Sequence, residues 1–496
     1  MSESNLISKE ISQRKQKVLD HSDYRYLRIV QQNNGGGVTL DANGGQESVF
    51  QIPASQVFNF SRSDFRYSEV QDAGAAAGTD YYYKFCDLVP HIQRLTVMTQ
   101  KGQVLICDIA DCHKYTNAIL RHETRLDEML TNDRPDDNTG IFEGLVPPDG
   151  YQIAMPTFAA ATDGDPTNAE INAWAGTIAV SSSVKTATNS DITNKFIEPR
   201  YYIRGPANAT LTIHNRISLS LFKNTILAMD KNRYFGDIVE IRITWNKITN
   251  VYFQAKATPV ATAVNATQPL HLSNLELNLC VENNPVIVQD MKTKFANGGF
   301  VDYIPYLYSS KQNKSGALQH IEMDINRSQG SHIRKIIWFP SNVFEEGGMA
   351  YFHGLDPQKT DRAGTIVGNS FITDFNPLIN GNPIYSSSVK QRAGTAIINE
   401  PYNYQRRRLK GSCISSVNDF NYNFTWYQDW TDPSPVWMKP LDKFDPDVYI
   451  DGYPLTEPVK YELDINFGAA GSSRNHYLYA VIPEDLNVLN GRFDRH

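Results

Sequence analysis

The sequence has few cysteines, and their arrangement is not that of a disulfide framework. Its five cysteines are an odd number spread over 496 residues, with no paired C-x-x-C spacing. The amino-terminal segment lacks the apolar core of a signal peptide, and no run approaches about 18 consecutive apolar residues. We therefore expect synthesis in a reducing cytoplasm, without disulfides and without a membrane-spanning helix.

The sequence also lacks the short motifs that mark common active sites. It contains no G-x-x-x-x-G-K-[ST] phosphate loop, no H-E-x-x-H metal-binding helix and no G-x-S-x-G nucleophile turn. Cys107, Cys112 and His113 lie close together, but the gap between the two cysteines is looser than the spacing of zinc sites. We therefore expect no metal, no cofactor and no enzymatic activity.

An excess of positive charge is missing as well. The formal net charge is −7 and the pI is about 5.9, whereas proteins that neutralise phosphates carry clustered basic residues. We therefore expect no direct, sequence-specific binding of nucleic acid. One dense basic run fits a solvated loop or subunit contact, a nuclear import signal or a nucleic-acid patch. The candidate subunit-contact residues of this run are Arg406, Arg407, Arg408 and Lys410.

Composition and length favour a folded β protein with two domains. Hydrophobic residues make up 41% of the chain and charged residues 20%, with 26 Tyr and 23 Phe. Strand-forming residues interrupted by Gly and Pro are typical of sheets joined by loops. A chain of 496 residues exceeds one ordinary hydrophobic core, which favours two domains of about 200 to 250 residues each.

The clearest stretch of the sequence runs from Ile213 to Trp245. Residues 217–221 alternate apolar and polar side chains, as a half-buried strand does. Phe222, Ile226 and Met229 follow at helical spacing, which predicts a short helix with one apolar edge. Beyond a turn, residues 239–245 alternate again and predict a second strand. Together these elements predict part of a β-sandwich with one apolar side.

The strongest helix prediction covers residues 108–132. Apolar and aromatic residues recur there at steps of three and four, and Arg134-Pro135 ends the pattern. His122 falls on this apolar stripe. We therefore expect a packed histidine at the edge of the core rather than a metal ligand.

Two octapeptides suggest an internal repeat. HIQRLTVM at residues 91–98 and HIRKIIWF at residues 332–339 share their opening and a basic position before an apolar run. Their offset (332 − 91) is 241 residues, about half the chain. Two tandem copies of one fold would produce such an offset.

Composition shifts divide the chain into segments. The small, polar residues of 147–194 predict a long loop that projects from one end of a sandwich, and 254–270 has the composition of a linker. The resulting division is an amino-terminal arm and lead-in (1–40), a first domain (41–253), the linker (254–270) and a second domain (271–496).

An aromatic segment near the end of the chain leaves an alternative function open. In residues 415–437, Phe420, Tyr422, Phe424 and Trp426 alternate with polar residues, which predicts a strand whose aromatic face fills the space between two sheets. The same aromatic side chains could stack on sugars, with Asp429 and Asp432 as catalytic acids. The alternative is therefore a two-domain β-sandwich protein that binds or hydrolyses glycans.

Three segments carry a resemblance to a known family. ISLSLFKNTILAMDKNRYFGDIVEIRITW (residues 217–245) resembles a segment near the end of the first jelly roll in major capsid proteins of Polinton-like viruses and virophages, in the double jelly-roll lineage of adenovirus hexons and tailless-phage capsids. Residues 272–308 resemble the start of the second jelly roll, and 460–482 resemble its closing strands. The resemblance implies an all-β fold of two tandem eight-stranded jelly-roll sandwiches with short helices and long loops.

The resemblance also implies a function. Major capsid proteins of this lineage form pseudo-hexameric homotrimers that tile the icosahedral shell of a double-stranded DNA virus. The implied partners are further copies of the chain, neighbouring capsomers, and penton and minor capsid proteins, and the implied location is the virion capsid. The amino-terminal arm is then a candidate for contact with an internal membrane or the genome, since residues 1–20 have a slightly basic face.

Overall fold

The structure is a computed structural model of the chain. It describes residues 22–33, 37–40, 43–71, 80–83, 89, 91–123, 202–204, 211–248, 252–254, 262–263, 270–297, 301–326, 332–342, 372–393, 396–406, 409, 424–430, 452–455, 457–467, 474–489 and 492–495. The predicted arm (residues 1–20), the predicted loop at 147–194 and most of the predicted linker lie outside these residues.

Almost all of the described secondary structure is β-strand. The strands of the first half are β1 (Tyr24–Val30), β2 (Gly37–Leu40), β3 (Glu47–Ile52), β4 (Phe58–Gln71), β5 (Asp80–Tyr83), β6 (Ile92–Thr99), β7 (Leu105–Ile109), β8 (Tyr202–Arg204), β9 (Leu211–Ser218), β10 (Val239–Trp245), β11 (Tyr252–Gln254), β12 (Thr262–Ala263) and β13 (Leu270–Glu282). The strands that follow are β14 (Val301–Lys314), β15 (Leu318–Ile325), β16 (His332–Ile333), β17 (Lys335–Asn342), β18 (Ile372–Ile379), β19 (Asn382–Pro383), β20 (Val389–Lys390), β21 (Arg392–Ala393), β22 (Ala396–Ile397), β23 (Trp426–Asp429), β24 (Tyr453–Pro454), β25 (Val459–Phe467), β26 (Arg474–Leu489) and β27 (Arg492–Arg495).

Helices are short and few in the described part of the chain. They are α1 (Cys112–Glu123), α2 (Pro285–Ala296) and α3 (Glu400–Gln405). The predicted helix over 108–132 is confirmed for α1, and its continuation lies outside the described residues. None of the described helices is long and apolar enough to cross a membrane.

The short helix predicted over residues 222–229 is wrong in kind. Within it only Ile226–Ala228 is helical, as a 3-10 turn, and another 3-10 turn, Leu219–Leu221, precedes it in the stretch predicted to be a strand. Asn224 between them has a left-handed backbone with φ 58°, and Thr225 is extended. The Ser218 hydroxyl accepts the backbone N–H of Ser220 and the Thr225 hydroxyl accepts that of Leu227, so the chain caps two separate turns instead of continuing one helix.

The first eight principal strands form two sheets of four strands each, and the short strand β2 adds to one of them by pairing with β13. In chain order these strands are β1, β3, β4, β6, β7, β9, β10 and β13. One sheet has the order β1-β13-β4-β9 and the other β3-β10-β6-β7. If these eight strands are numbered 1 to 8 in chain order, the two sheets have the orders 1-8-3-6 and 2-7-4-5. All pairs are antiparallel, and this arrangement is the jelly roll.

The second half of the chain repeats the same order. One sheet runs β14-β26-β17-β23 and the other β15-β25-β18, with the short strands β19 and β20 both paired to β18. Counted along the chain, with the short strands β19 and β20 in the fifth position, the two orders are again 1-8-3-6 and 2-7-4-5. Two jelly rolls in tandem are therefore confirmed, because both halves have the jelly-roll strand order.

Strand pairing moves the boundary between the two halves. The division at residue 271 places β13 in the second domain, but β13 pairs with β1 along Tyr24–Val30 and with β4 on its other side. β1 in turn belongs to the first sandwich rather than to a lead-in. The first sandwich thus includes both strands, and α2 follows it directly. The domain limits at residues 41 and 271 stay a prediction, but the strand pairing places β1 and β13 in one sheet because a jelly roll pairs its first strand with its last, which composition does not reveal.

The octapeptide repeat does not mark equivalent strands. Residues 92–98 lie in β6, the fourth strand of the first sandwich, whereas residues 335–339 lie in β17, the third strand of the second. The two segments therefore belong to different sheets of their sandwiches. The duplication is present in the topology, but the sequence similarity that suggested it is coincidental.

Alternating side chains build each core. In β10, Val239, Ile241, Ile243 and Trp245 are all buried, as predicted. The indole Nε1 of Trp245 donates a hydrogen bond to the Ser48 hydroxyl at 2.9 Å, so the largest of these side chains leaves no buried donor unpaired. The core of the second sandwich is also rich in aromatic side chains and contains Trp338, Phe375, Phe424, Trp426 and Tyr461.

Candidate assembly surfaces

The two sandwiches pack against each other through one face of a sheet and one helix. In the second sandwich, alternate residues of β17 and β26 point away from their own core. Their side chains join the core of the first sandwich: Ile337, Phe339, Tyr477, Tyr479 and Val481. The intervening residues, such as Trp338 and Leu478, fill the second core. Both faces of the β14-β26-β17-β23 sheet are therefore covered.

The helix α1 lies at the centre of this interface. Tyr115, Ala118 and Ile119 are fully buried, and the Tyr115 ring lies 4.6 Å from the ring of Tyr479 on β26. The Tyr479 hydroxyl donates a hydrogen bond to the carbonyl oxygen of Ala110 at 3.0 Å. Since α1 follows β7 of the first sandwich directly, it fixes the second sandwich in one orientation.

Charged pairs close the rim of the interface. The Lys335 ammonium lies 3.3 Å from the Glu123 carboxylate at the end of α1 and donates to the Asn224 side chain at 3.1 Å. Lys311 on β14 lies 3.5 Å from Asp111, directly before α1. The sheet contributes the cations and the helix ends contribute the carboxylates. Such partly exposed pairs contribute more to the relative orientation of the two sandwiches than to the stability of the fold.

His122 is a packed histidine, as its place on the apolar stripe predicted. Its side chain is buried, and its ring lies 5.5 Å from the Tyr427 ring on β23. It thus belongs to the same interface as Tyr115 and Tyr479. The sequence identified the helix but not the role of its outer side, which contacts the second sandwich.

A signal for this interface exists in the sequence of β26. Residues 477–482, YLYAVI, are apolar at every position rather than at every second one. A strand without alternation is typical of a sheet buried on both faces. The pattern predicts that β26 has a second covering layer, but it does not identify α1 as that layer.

The basic run is only partly described. Arg406 follows α3 and its side chain is exposed, while Leu409 is buried. Gln405 at the end of α3 donates its amide N–H to the Thr425 carbonyl at 3.2 Å, which holds the start of the run against the second sandwich. Arg407, Arg408 and Lys410 lie outside the described residues. A subunit contact through these four side chains stays a prediction.

The cysteines near α1 have the environment of structural residues. Cys107 and Cys112 are both buried. Burial raises the pKa of Cys112 to about 12 and raises that of Cys107 well above its ordinary value, which keeps both as thiols. Burial, followed by the charge of Lys114, lowers the pKa of the adjacent His113 well below 6.5. The buried neutral thiols pack as small apolar side chains.

This burial leads to a test by alkylation. In the native protein, Cys107, Cys112 and Cys280 should resist a maleimide, because all three are buried and the attacking species is the thiolate. After denaturation they should react fully. Peptide mapping by mass spectrometry distinguishes them from Cys86 and Cys413. Rapid native labelling of Cys112 would contradict the packing around α1.

One other group of side chains in the described structure has the composition of a metal site. His320, Glu322 and Glu462 lie together on the outer face of the β15-β25 pair. The ammonium of Lys460 already contacts the carboxylate of Glu322, and His320 Nδ1 lies 2.7 Å from Asp464. The group is therefore part of a largely exposed network of ion pairs and hydrogen bonds between the two strands.

The aromatic segment expected near residue 420 lies in the core where it is described. Phe424, Trp426 and Tyr427 are almost completely buried, and the Trp426 ring lies 4.9 Å from that of Phe375. Rings with no exposed face cannot stack on a sugar. Asp429 follows them at the end of β23, and Asp432 lies outside the described residues. The glycan-binding alternative is therefore not favoured.

Comparison by sequence finds no relative. No protein-family model matches the chain, and no curated protein sequence matches it. Comparison by structure finds several. The Sputnik virophage structure determined by cryo-EM at 3.5 Å has a TM-score of 0.50 and 9% identity, over 96% of this chain and 88% of that chain.

Two viral major capsid proteins also align with most of the chain. The Faustovirus major capsid protein gives a TM-score of 0.47 at 10% identity, over 95% of this chain and 91% of its own. The mavirus major capsid protein gives a TM-score of 0.44 at 10% identity, over 94% of this chain and 90% of its own. Identities this low show a fold and nothing finer. With the strand order 1-8-3-6 and 2-7-4-5 present twice, the chain has the double jelly-roll fold.

Proposed function

We propose that the chain is a major capsid protein, a building block of the icosahedral shell of a double-stranded DNA virus. The observation that carries the proposal is the pair of equivalent sandwiches joined by a buried apolar interface. Three such chains arranged in a ring present six similar sandwiches. The resulting pseudo-hexagonal block can tile a flat facet, although the chain itself forms only a three-fold ring.

The character of the two sandwiches supports a structural role. Their largest buried side chains are packed aromatics such as Trp245, Trp338 and Trp426, so the interiors are filled rather than hollow. Within the described residues, most of the titratable groups with strongly shifted pKa values are buried tyrosines, cysteines and histidines in these cores and the interface, and the pKa of Arg62 is raised by its hydrogen bond to Asp230. The environment of the buried groups is that of packing, not of a solvent-accessible catalytic cleft.

The proposal includes the partners that a shell requires. Copies of the chain form the trimer, neighbouring trimers form the facets, and penton and minor capsid proteins complete the particle. The location is the virion capsid. We also propose that the acidic chain, with its net charge of −7, does not condense the genome directly, and that contact with the virion interior goes through the amino-terminal arm.

The first test is the mass of the assembly in solution. The purified chain should form a trimer of about 168 kDa, three times the 55.9 kDa of one chain, because a closed cyclic ring has a fixed number of members. Multi-angle light scattering after size exclusion measures this mass directly. A stable monomer at micromolar concentration would contradict the proposal, and negative-stain images should show blocks with a hexagonal outline.

A further inference from the structure

Three side chains where the two sandwiches meet, Glu123, Asn224 and Lys335, have the arrangement of an amide-forming site. Glu123 ends α1, Asn224 lies between the two 3-10 turns, and Lys335 begins β17. We propose that the Lys335 amine reacts with the side-chain amide of Asn224, with Glu123 as the catalytic residue, to form an isopeptide bond that links the two sandwiches covalently. The inference is independent of the capsid proposal, because it concerns a bond within one chain.

The contacts place each reacting atom beside its partner. Lys335 Nζ lies 3.1 Å from Asn224 Oδ1 and 3.3 Å from Glu123 Oε1. Asn224 Nδ2 lies 2.9 Å from the other carboxylate oxygen, Glu123 Oε2. An ammonium group only donates hydrogen bonds and a carboxylate only accepts them, which fixes the orientation of the amide between the two. The electrophilic carbon Cγ is one C=O bond, about 1.2 Å, from the oxygen that faces the amine.

The carboxylate of Glu123 contacts both the nucleophile and the leaving group. A catalytic group that takes a proton from an attacking amine and gives it to a departing amine must reach both nitrogen atoms. Glu123 reaches Lys335 Nζ through one oxygen and Asn224 Nδ2 through the other. An ion pair between Lys335 and Glu123 needs no amide. The oriented amide of Asn224 is therefore the feature that distinguishes a reactive site from a structural ion pair.

The surroundings of the three side chains suit the reaction. The side chains of Lys335 and Glu123 are only 20% and 10% exposed, so a proton transfer that removes both charges is favoured over an ion pair in poor contact with water. Tyr115, whose hydroxyl lies 3.4 Å from Asn224 Nδ2, is fully buried. Burial, followed by the charge of Glu123, raises the pKa of Tyr115 well above 10. The same burial limits the access of water, which would otherwise hydrolyse the amide.

The reaction balances without a co-reactant. The Lys335 ammonium gives a proton to Glu123 Oε1, and the neutral amine attacks Asn224 Cγ, so that the Nζ–Cγ bond forms and the carbonyl electron pair moves to Oδ1. Glu123 then protonates Nδ2, the carbonyl forms again, and the Cγ–Nδ2 bond breaks to release ammonia. The surplus proton on Nζ returns to Glu123 and leaves with the ammonia as ammonium. One ammonium and one primary amide thus become one secondary amide and one ammonium, with no change of oxidation state.

The bond would join the two halves of the chain where they are already in contact. Asn224 belongs to the first sandwich, between β9 and β10, and Lys335 belongs to the second, 111 residues further along. A cross-link over such a separation restricts the unfolded chain, as a disulfide that closes a long loop does. A folded variant without the bond should therefore melt at a temperature lower by roughly 10 °C or more.

Mass spectrometry of the denatured full-length chain tests the bond directly. The wild type should be lighter than its sequence by about 17 Da, the mass of the ammonia released. Trypsin should then give a branched peptide that joins residues 224–231 to residues 335–359, since a basic residue precedes and ends each segment and trypsin does not cut after an acylated lysine. This peptide distinguishes the isopeptide bond from loss of ammonia at another asparagine.

Two variants and a matched control test the roles of the side chains. Glu123→Gln keeps the shape of the side chain but cannot carry protons, and Lys335→Arg keeps the positive charge but lacks the reactive amine. Both should have their full sequence mass and give no branched peptide. The control Lys311→Arg alters another lysine of the same interface, which pairs with Asp111, and should still lose ammonia. Circular dichroism establishes that each variant is folded.

Each contrary outcome overturns a stated part of the proposal. A wild-type chain with its full sequence mass would show that the bond does not form. Loss of ammonia without the branched peptide would place the change at another residue and would equally overturn the bond. A branched peptide as abundant in Glu123→Gln as in the wild type would show that Glu123 is not catalytic. The capsid proposal is decided separately, by the mass of the native assembly.

Discussion

Replacing Tyr479 by alanine should lower the melting temperature by roughly 10 °C, since truncating a buried aromatic side chain costs about 3–5 kcal/mol and each kcal/mol shifts a domain of this size by about 2–4 °C. Tyr479 is 1% exposed, and its ring packs on Tyr115 and Phe339. The cavity would lie between the two sandwiches rather than inside either core. The loss would therefore weaken their attachment to each other.

The conservative control is Tyr479→Phe. It keeps the ring and removes only the hydrogen bond to the Ala110 carbonyl, whose loss costs about 1 kcal/mol. Differential scanning calorimetry of the three proteins gives the comparison. Equal effects of the two substitutions would mean that the hydrogen bond, and not the packing of the ring, holds the interface.

Acidification should destabilise the protein from about pH 6.5 downward, and His476 is a principal cause. This side chain is completely buried, with Nε2 2.6 Å from Gln319 Oε1 and Nδ1 3.2 Å from the indole Nε1 of Trp338. The neutral ring satisfies both contacts when Nε2 donates and Nδ1 accepts. Burial, together with the charges of Arg474 and Lys314, lowers the pKa of His476 to about 3.

The direction of the effect follows from proton uptake. Between pH 6.5 and pH 3, the unfolded chain binds a proton at this histidine and the folded chain does not. Stability is therefore full above the unfolded pKa and falls as the pH decreases, by about 1.4 kcal/mol per pH unit for each such group, or about 2 kcal/mol at pH 5. His113, whose pKa burial also lowers, adds an effect of the same sign.

The variant His476→Gln isolates this contribution. A glutamine amide can accept from Trp338 and donate to Gln319 but does not titrate. Its unfolding free energy, measured by denaturant titration between pH 7.5 and pH 4.5, should fall less steeply than that of the wild type. Parallel curves for the two proteins would show that acid sensitivity arises elsewhere.

Much of the fold could be predicted from local patterns. The alternation in residues 239–245 gave β10 with its buried face, and the stripe in residues 108–132 gave α1 and the packed position of His122. Period-two and period-3.6 patterns report which side of an element is buried. They do not report what buries it, and so Tyr115 and Tyr479 could not be paired from the sequence.

Boundaries and turns show where local patterns mislead. The composition of residues 254–270 is that of a linker, yet β13 directly after it completes the first sandwich by pairing with β1. Spacing at 222–229 fits a helix, yet Asn224 has a left-handed backbone and Thr225 an extended one, so only Ile226–Ala228 forms a 3-10 turn there. In both cases a contact with residues far along the chain, or a single backbone conformation, overrides the local preference.

The sequence by itself determined that the chain is β-rich, filled by aromatic and branched side chains, and long enough for two sandwiches. Only the tertiary structure decided that both sandwiches share one strand order, that β13 closes the first of them, and that α1 joins them. It also showed that one sheet face is covered within the chain while its equivalent at Tyr26 and Val30 is exposed. The physical reason is that alternation encodes burial per residue, whereas the partner of a buried face is set by connections between strands hundreds of residues apart.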